Sequence, residues 1–179
     1  MKNMIPFLIA IICFILVILE GTLSLINVSL FADDWMIVSH FMFLFLIYVT
    51  IYFEKITTFY AIALSIIFSL IVDIVYTDVI GVYVFAYTLV LYIIRVFMKV
   101  LQSNFLIAML MTVFGVITTD ILIFFLYNII QIHQLSWEFY WHNRLIPSGV
   151  WNLIAGLFIY IAFAKRLQKW SFIKFERSD

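Results

Sequence analysis

The sequence predicts an all-α, polytopic membrane protein with six transmembrane helices and both termini cytoplasmic. Three observations lead there. The 179 residues are 67% hydrophobic and only 11% charged, more apolar surface than a soluble domain of this size can bury. Six apolar runs each fit the ~20 residues that a membrane-crossing helix needs. The basic residues are strongly partitioned among the connections.

The runs lie at about 5–25, 36–53, 57–77, 80–98, 105–130 and 146–165. The first follows Lys2 and could pass for a signal peptide. It has no A-x-A-like cleavage site and continues through Gly21 to Leu25, so it is read as a retained first span. Apart from 131–145 the connections are short. With no linker or low-complexity tract, residues 1–179 read as a single transmembrane domain. Six crossings place both ends on one side, with Lys2, Lys55, Arg95, Lys99, Lys165, Arg166, Lys169, Lys174 and Arg177. Only Arg144 falls opposite, so the side rich in cations is cytoplasmic. Arg95 and Lys99, late in the fourth span, are expected to snorkel to the inner interface. The tail 166–179 alternates basic and aromatic residues and is expected on the inner leaflet. The outer side holds Asp33, Asp34, Asp78 and the 131–145 loop.

Three acids fall inside the apolar runs: Glu20, Asp73 and Asp120. An intramembrane acid is costly and is a functional-site hypothesis by default. Each lies about 15–17 residues into an outward-running span, roughly 22–25 Å from the inner edge at 1.5 Å per residue. Asn152 in the sixth span and His40 early in the second fall near the same level, giving an outer polar layer. No basic counter-ion is expected at that depth.

Helical spacing places these groups on defined faces. Ala61, Ser65, Ser69 and Asp73 recur every four residues and form a stripe of small or polar side chains, of the kind that lets helices approach closely in lipid. Ala108, Thr112, Gly115 and Thr119 make a similar seam beside Asp120, and Gly149, Asn152 and Gly156 share a face. Asp73, Asp120 and Asn152 are therefore expected to point into protein.

Composition excludes several function classes. Lys and Arg balance Asp and Glu at ten each, which leaves no basic surface for nucleic acid. The single Cys13 offers no disulfide. Three dispersed histidines give no metal-ligand spacing. No Gly-rich phosphate loop, HExxH or nucleophile elbow is present. The expectation is therefore no enzyme, no cofactor and no metal.

The run Ser65 to Asp73, followed by Gly81-Val-Tyr-Val-Phe-Ala-Tyr87, resembles the MreD family of rod-shape-determining membrane proteins. In that family a Gly-rich third span ends in G-L-L-x-D and a Gly-led fourth span follows. Leu70, Asp73 and Gly81 match, whereas Ser65 and Ser69 stand where the family often has Gly. Leu145-Ile-Pro147, then Asn152, then Leu157 to Tyr160 resembles the family's L-P…N…L-Y stretch. The resemblance implies a fold similar to the substrate-binding components of energy-coupling-factor transporters. It also implies association with MreC, a bitopic membrane protein, and communication with MreB where present and with the peptidoglycan polymerase and transpeptidase.

The leading expectation is a non-enzymatic scaffold of the bacterial cell-elongation and peptidoglycan-synthesis machinery in the cytoplasmic membrane. Asp73, Asn152, Asp120 and Glu20 are its candidate polar or partner-docking residues, and Ala61, Ser65 and Ser69 its packing stripe. The alternative is a substrate-binding membrane subunit of a vitamin or metal transporter, although the first span lacks the Ala-x-x-x-Ala seam of such subunits. A proton-coupled carrier using the three acids is a weaker third reading.

Overall fold

A computed structural model describes the chain except residues 1, 3, 31–34, 78, 133–134 and 177–179, with backbone alone for 24–30. Asp33, Asp34, Asp78, His133 and Arg177 lie outside the described residues. The elements are α1 (Ile5–Leu30), α2 (Phe41–Tyr48) continued by a π-helical turn (Val49–Phe53), α3 (Tyr60–Tyr76), α4 (Val82–Phe97) and α5 (Phe105–Ile129). They close with α6 (Trp137–Tyr140), a second π-helical turn (Trp141–Leu145) and α7 (Ile146–Phe175). The described residues form no strand. Three helical runs are long and apolar enough to cross a membrane: Ile5–Leu23, Phe105–Ile129 and Trp137–Phe175. Phe41–Phe53, Tyr60–Tyr76 and Val82–Phe97 are shorter apolar helices.

The second apolar run is the centre of the bundle. Every residue from Phe41 to Phe53 is buried, and a helix that is apolar all round belongs inside protein. It packs against α1, α3, α4, α5 and α7. Helix was expected from residue 36, yet 35–40 is non-helical and helix begins only at Phe41. Thirteen helical residues rise only ~20 Å, short of a ~30 Å hydrocarbon core. Irregular backbone in an apolar bundle is tolerated where protein supplies its hydrogen-bond partners, and the last helical run supplies them here.

The chain reverses at two ends. Lys55 pairs with Glu176 at 2.6 Å, and Tyr52 Oη donates to the Asn104 carbonyl at 3.1 Å. The 54–59 and 98–104 connections therefore share an end with the close of α7. At the far end Tyr76 Oη donates to the Val17 carbonyl at 3.3 Å, which holds α1 beside α3, the two running parallel. Between α3 and α4 the turn depends on Gly81, whose φ of +108° is a left-handed conformation that glycine adopts without steric cost.

The third-span stripe is internal: Ala61, Ser65, Ser69 and Asp73 are all fully buried, and α4 is the main neighbour of α3. Ile66, Ile67, Leu70 and Ile74 on the opposite face are exposed. Gly156 brings α7 against α5 and α2. A Cβ there would lie 2.8 Å from Thr112 Cγ2 and 3.2 Å from Tyr48 Oη, and Tyr48 donates to the Gly156 carbonyl at 3.0 Å. Gly149 differs from its expected seam partners, because a Cβ added there meets nothing within 4 Å.

The last helix departs furthest from its expected bounds. The continuous helical run Trp137–Phe175 has 39 residues, a rise of ~58 Å. The stretch expected to lie as a tail on the inner leaflet continues this helix to Phe175. Its Leu167 and Ser171 are buried, and the Phe175 ring lies 5.5 Å from that of Phe53. The tail is helical because it has a packing partner in the π-helical end of the central helix.

Candidate functional site: polar groups at the far end of the bundle

The extended segment 35–40 must satisfy its backbone away from water. It does so on one face of the last helical run, residue by alternate residue. Met36 N–H donates to the Asn143 carbonyl at 2.8 Å. Ser148 Oγ donates to the Met36 carbonyl at 3.3 Å and accepts from Val38 N–H at 3.0 Å. Asn152 Nδ2 donates to the Val38 carbonyl at 2.7 Å, and Asn152 Oδ1 accepts from His40 N–H at 2.7 Å. Thus 36, 38 and 40 find a strand-like set of partners on a helix.

Local sequence explains how α7 can offer them. Pro147 has no N–H, so the carbonyl four residues earlier, at Asn143, has no α-helical donor there. That carbonyl takes Met36 instead. The π-helical turn Trp141–Leu145 immediately precedes Pro147, and such bulges accommodate a break in the i→i−4 ladder. Ser148 and Asn152 are four apart and so share one face. The Leu145-Ile-Pro147…Asn152 pattern therefore encodes a backbone clamp.

Asp73 organises a second irregular site. Its carboxylate accepts from Gly81 N–H at 2.8 Å, Tyr83 N–H at 3.0 Å and Val84 N–H at 3.2 Å. Gly81 is the residue that caps α4, so an acid on α3 caps the next helix. Three otherwise unpaired donors meet a negative charge at the positive end of a helix dipole. Thr77 Oγ1 returns to the Asp73 carbonyl at 2.9 Å and fixes the end of α3.

Asp120 lies in a buried network. His40 Nε2 is 3.3 Å from Asp120 Oδ1, and His40 Nδ1 is 2.7 Å from Tyr87 Oη. The imidazole thus links the Tyr87 hydroxyl to one oxygen of the Asp120 carboxylate. Tyr140 Oη donates to the Asp120 carbonyl at 2.8 Å. Arg144 Nη2 stands 3.7 Å from Asp120 Oδ1. Glu20 adjoins the start of α2, with Oε2 3.5 Å from Met42 N. Among the described residues Asp120 Oδ2, Thr119 Oγ1, and Arg144 Nε and Nη2 are buried without a hydrogen-bond partner.

At the opposite end Arg95 is buried rather than extended to an interface. Its guanidinium bonds the Glu54 carboxylate and donates to the Lys55 and Ile56 carbonyls at 3.3 and 2.6 Å. It also stacks over Phe59 at 4.2 Å. Snorkelling was the expectation; the 54–59 turn folds back over the side chain and supplies its acceptors. Glu54 in turn accepts from Ala61 N–H at 2.7 Å. Burial lifts the Glu54 carboxyl to about 7, opposed by Ala61 N–H and by Arg95.

Of the four expected polar residues, Asp120 and Glu20 share the network around His40, while Asp73 and Asn152 each hold a separate backbone segment. Asp73 and Asn152 have no hydrogen bond to one another. The roles of His40 and Arg144 were not visible in helical spacing, since neither lies on a regular stripe. One signal did point to Arg144: it is the lone cation on its side, three residues before Pro147. The expectation of no basic counter-ion near the acids is overturned by Arg144 at Asp120. Arg144 reaches it because 137–145 folds as helix and π-helical turn rather than as an open loop.

A bundle of apolar helices with its polar groups turned inward defines a helical membrane protein. The family model for the rod shape-determining protein MreD matches residues 1–170. A curated relative, the rod shape-determining protein MreD of Bacillus subtilis (strain 168), is 24% identical over 140 residues, 78% of this chain and 80% of its own length. No solved structure matches. The chain belongs to the MreD family, and its role is in rod-shape determination.

Proposed function

We propose that the chain is a non-enzymatic scaffold of the cell-elongation and peptidoglycan-synthesis machinery. It crosses the bacterial cytoplasmic membrane six times, with both ends cytoplasmic, and binds an MreC-like bitopic partner through helix packing. The observation that carries this reading is the family match over residues 1–170. Two structural features support the mode of binding. Asp73 and Asn152 spend their hydrogen bonds on their own chain, so they shape the scaffold from within. Apolar helix faces are left outward, as with Phe7, Ile11, Phe14 and Ile18 on α1, and a membrane span packs on such a face by close contact.

The test is to deplete the chain in its host cell, with a rod-shaped cell body as the starting form, and to purify a tagged copy from the same cells. The expected result is rounding on depletion and recovery of the MreC-like protein with the tag. Rods that persist, or a purification without that protein, would sink the scaffold reading.

A further inference from the structure

The far end of the bundle holds an open-sided cavity of about 680 Å³ that the scaffold role does not use. It lies among the ends of α1, α3, α4 and α5, the 35–40 segment and the second π-helical turn. Glu20, Ser39, Tyr76, Tyr83, Tyr127 and Arg144 are among its lining residues. Its size falls in the ~300–1,000 Å³ range of small-ligand sites. Mixed walls of aromatic rings and a few charges are typical of such sites.

The charges choose the ligand class. Arg144 contributes buried Nε and Nη2 donors without a hydrogen-bond partner, and an orphaned buried donor is costly. They call for an oxyanion, which a guanidinium grips by two parallel bonds. A simple anion is disfavoured, because Glu20 lines the same cavity and Asp120 lies 3.7 Å from Arg144. Two carboxyl groups, Glu20 and Asp120, thus accompany one guanidinium at this end. A simple cation would suit Glu20 and the tyrosine rings but leave the Arg144 donors unmet. A group bearing both an ammonium and an oxyanion answers both sides.

We infer that this cavity binds a zwitterionic amino-phosphate group, its phosphate on Arg144 and its ammonium between Glu20 and the tyrosine rings. Phosphoethanolamine has this chemistry, either as the headgroup of a membrane lipid or as a free solute. The inference does not rest on the partner proposed above, and its test needs no partner.

The experiment is native mass spectrometry of the purified full chain. The probes are phosphatidylethanolamine, phosphatidylglycerol and soluble O-phosphoethanolamine, and the variants are Glu20→Gln, Arg144→Gln and Arg144→Lys. The expected result is retention of phosphatidylethanolamine over phosphatidylglycerol, with affinity at least about tenfold lower in Arg144→Gln and in Glu20→Gln. Arg144→Lys, which keeps the charge without the fork, should weaken binding less and shows that loss in Arg144→Gln is not misfolding. Displacement by soluble O-phosphoethanolamine would assign the site to a free ligand, and retention of the lipid alone would assign it to a headgroup. Equal retention of the two lipids, unchanged binding in Arg144→Gln, or binding of none of the probes overturns the inference.

Discussion

Replacing Asn152 by Ala removes both ends of the clamp on the extended segment at once. His40 N–H then loses its 2.7 Å acceptor and the Val38 carbonyl its 2.7 Å donor. His40 is fully buried, so water cannot replace the lost bond, and a buried orphan costs ~1–3 kcal/mol. Val38 is half-buried, which places its share at the lower end of that range. The two together give about 2–4 kcal/mol, or a fall of about 5–15 °C in the thermal midpoint for a chain of this size. Thermal unfolding in detergent micelles measures the first quantity. Amide hydrogen exchange measures the second consequence, faster exchange at His40 with the α5 core unchanged. Asn152→Asp keeps an acceptor for His40 but loses the donor to Val38, so its His40 amide should stay protected while stability still falls. An Asn152→Ala protein within about 0.5 kcal/mol of wild type, with His40 equally protected, would refute the clamp.

Further predictions follow from the other buried polar groups. Asp73→Ala strips the acceptor from three amides at the start of α4 and should cost ~2 kcal/mol, with exchange at Gly81, Tyr83 and Val84 accelerated; unaltered exchange there would contradict the cap. Arg95→Met leaves the Glu54 carboxylate buried and unpaired, a loss of ~3–5 kcal/mol. The double variant with Glu54→Gln should recover most of it, and simple additivity of the two changes in unfolding measurements would argue against the pair. Because burial raises Glu54 to about 7, the stability its neutral form contributes is complete below ~4.5. It declines as pH rises through about 7. Glu54→Gln should flatten the stability profile over that window, and an unchanged slope would deny the shift. For orientation, a membrane-impermeant maleimide should label Trp137→Cys in intact cells but not Ile56→Cys, in a Cys13→Ser background; the reverse pattern would invert the topology.

Much of the fold was legible because apolar runs and small-residue stripes obey helical spacing. Ala61, Ser65, Ser69 and Asp73 recur every four residues, and the structure buries all four. Bounds were legible where a local signal exists, as at Asn104, whose side chain accepts from Ile107 N–H and starts α5. They were not legible at residues 36–40. Nothing in that apolar stretch forbids a helix, and the reason it stays extended lies over a hundred residues away, on Ser148 and Asn152. Arg95 was misread for a related cause, since its acceptors come from a turn some forty residues earlier in the chain.

The sequence by itself determined the class of this protein, the number of its apolar runs, and its family through the motifs around Asp73 and Asn152. These rest on composition and on spacing along one chain direction, which survive without knowledge of any neighbour. Only the tertiary structure decided what the polar residues do. Asp73 became a cap for the next helix, Asn152 a clamp on a distant strand-like segment, and Asp120 the meeting point of His40 and Arg144. The physical reason is that a buried polar group is defined by the partner that satisfies it, and here those partners lie on other helices.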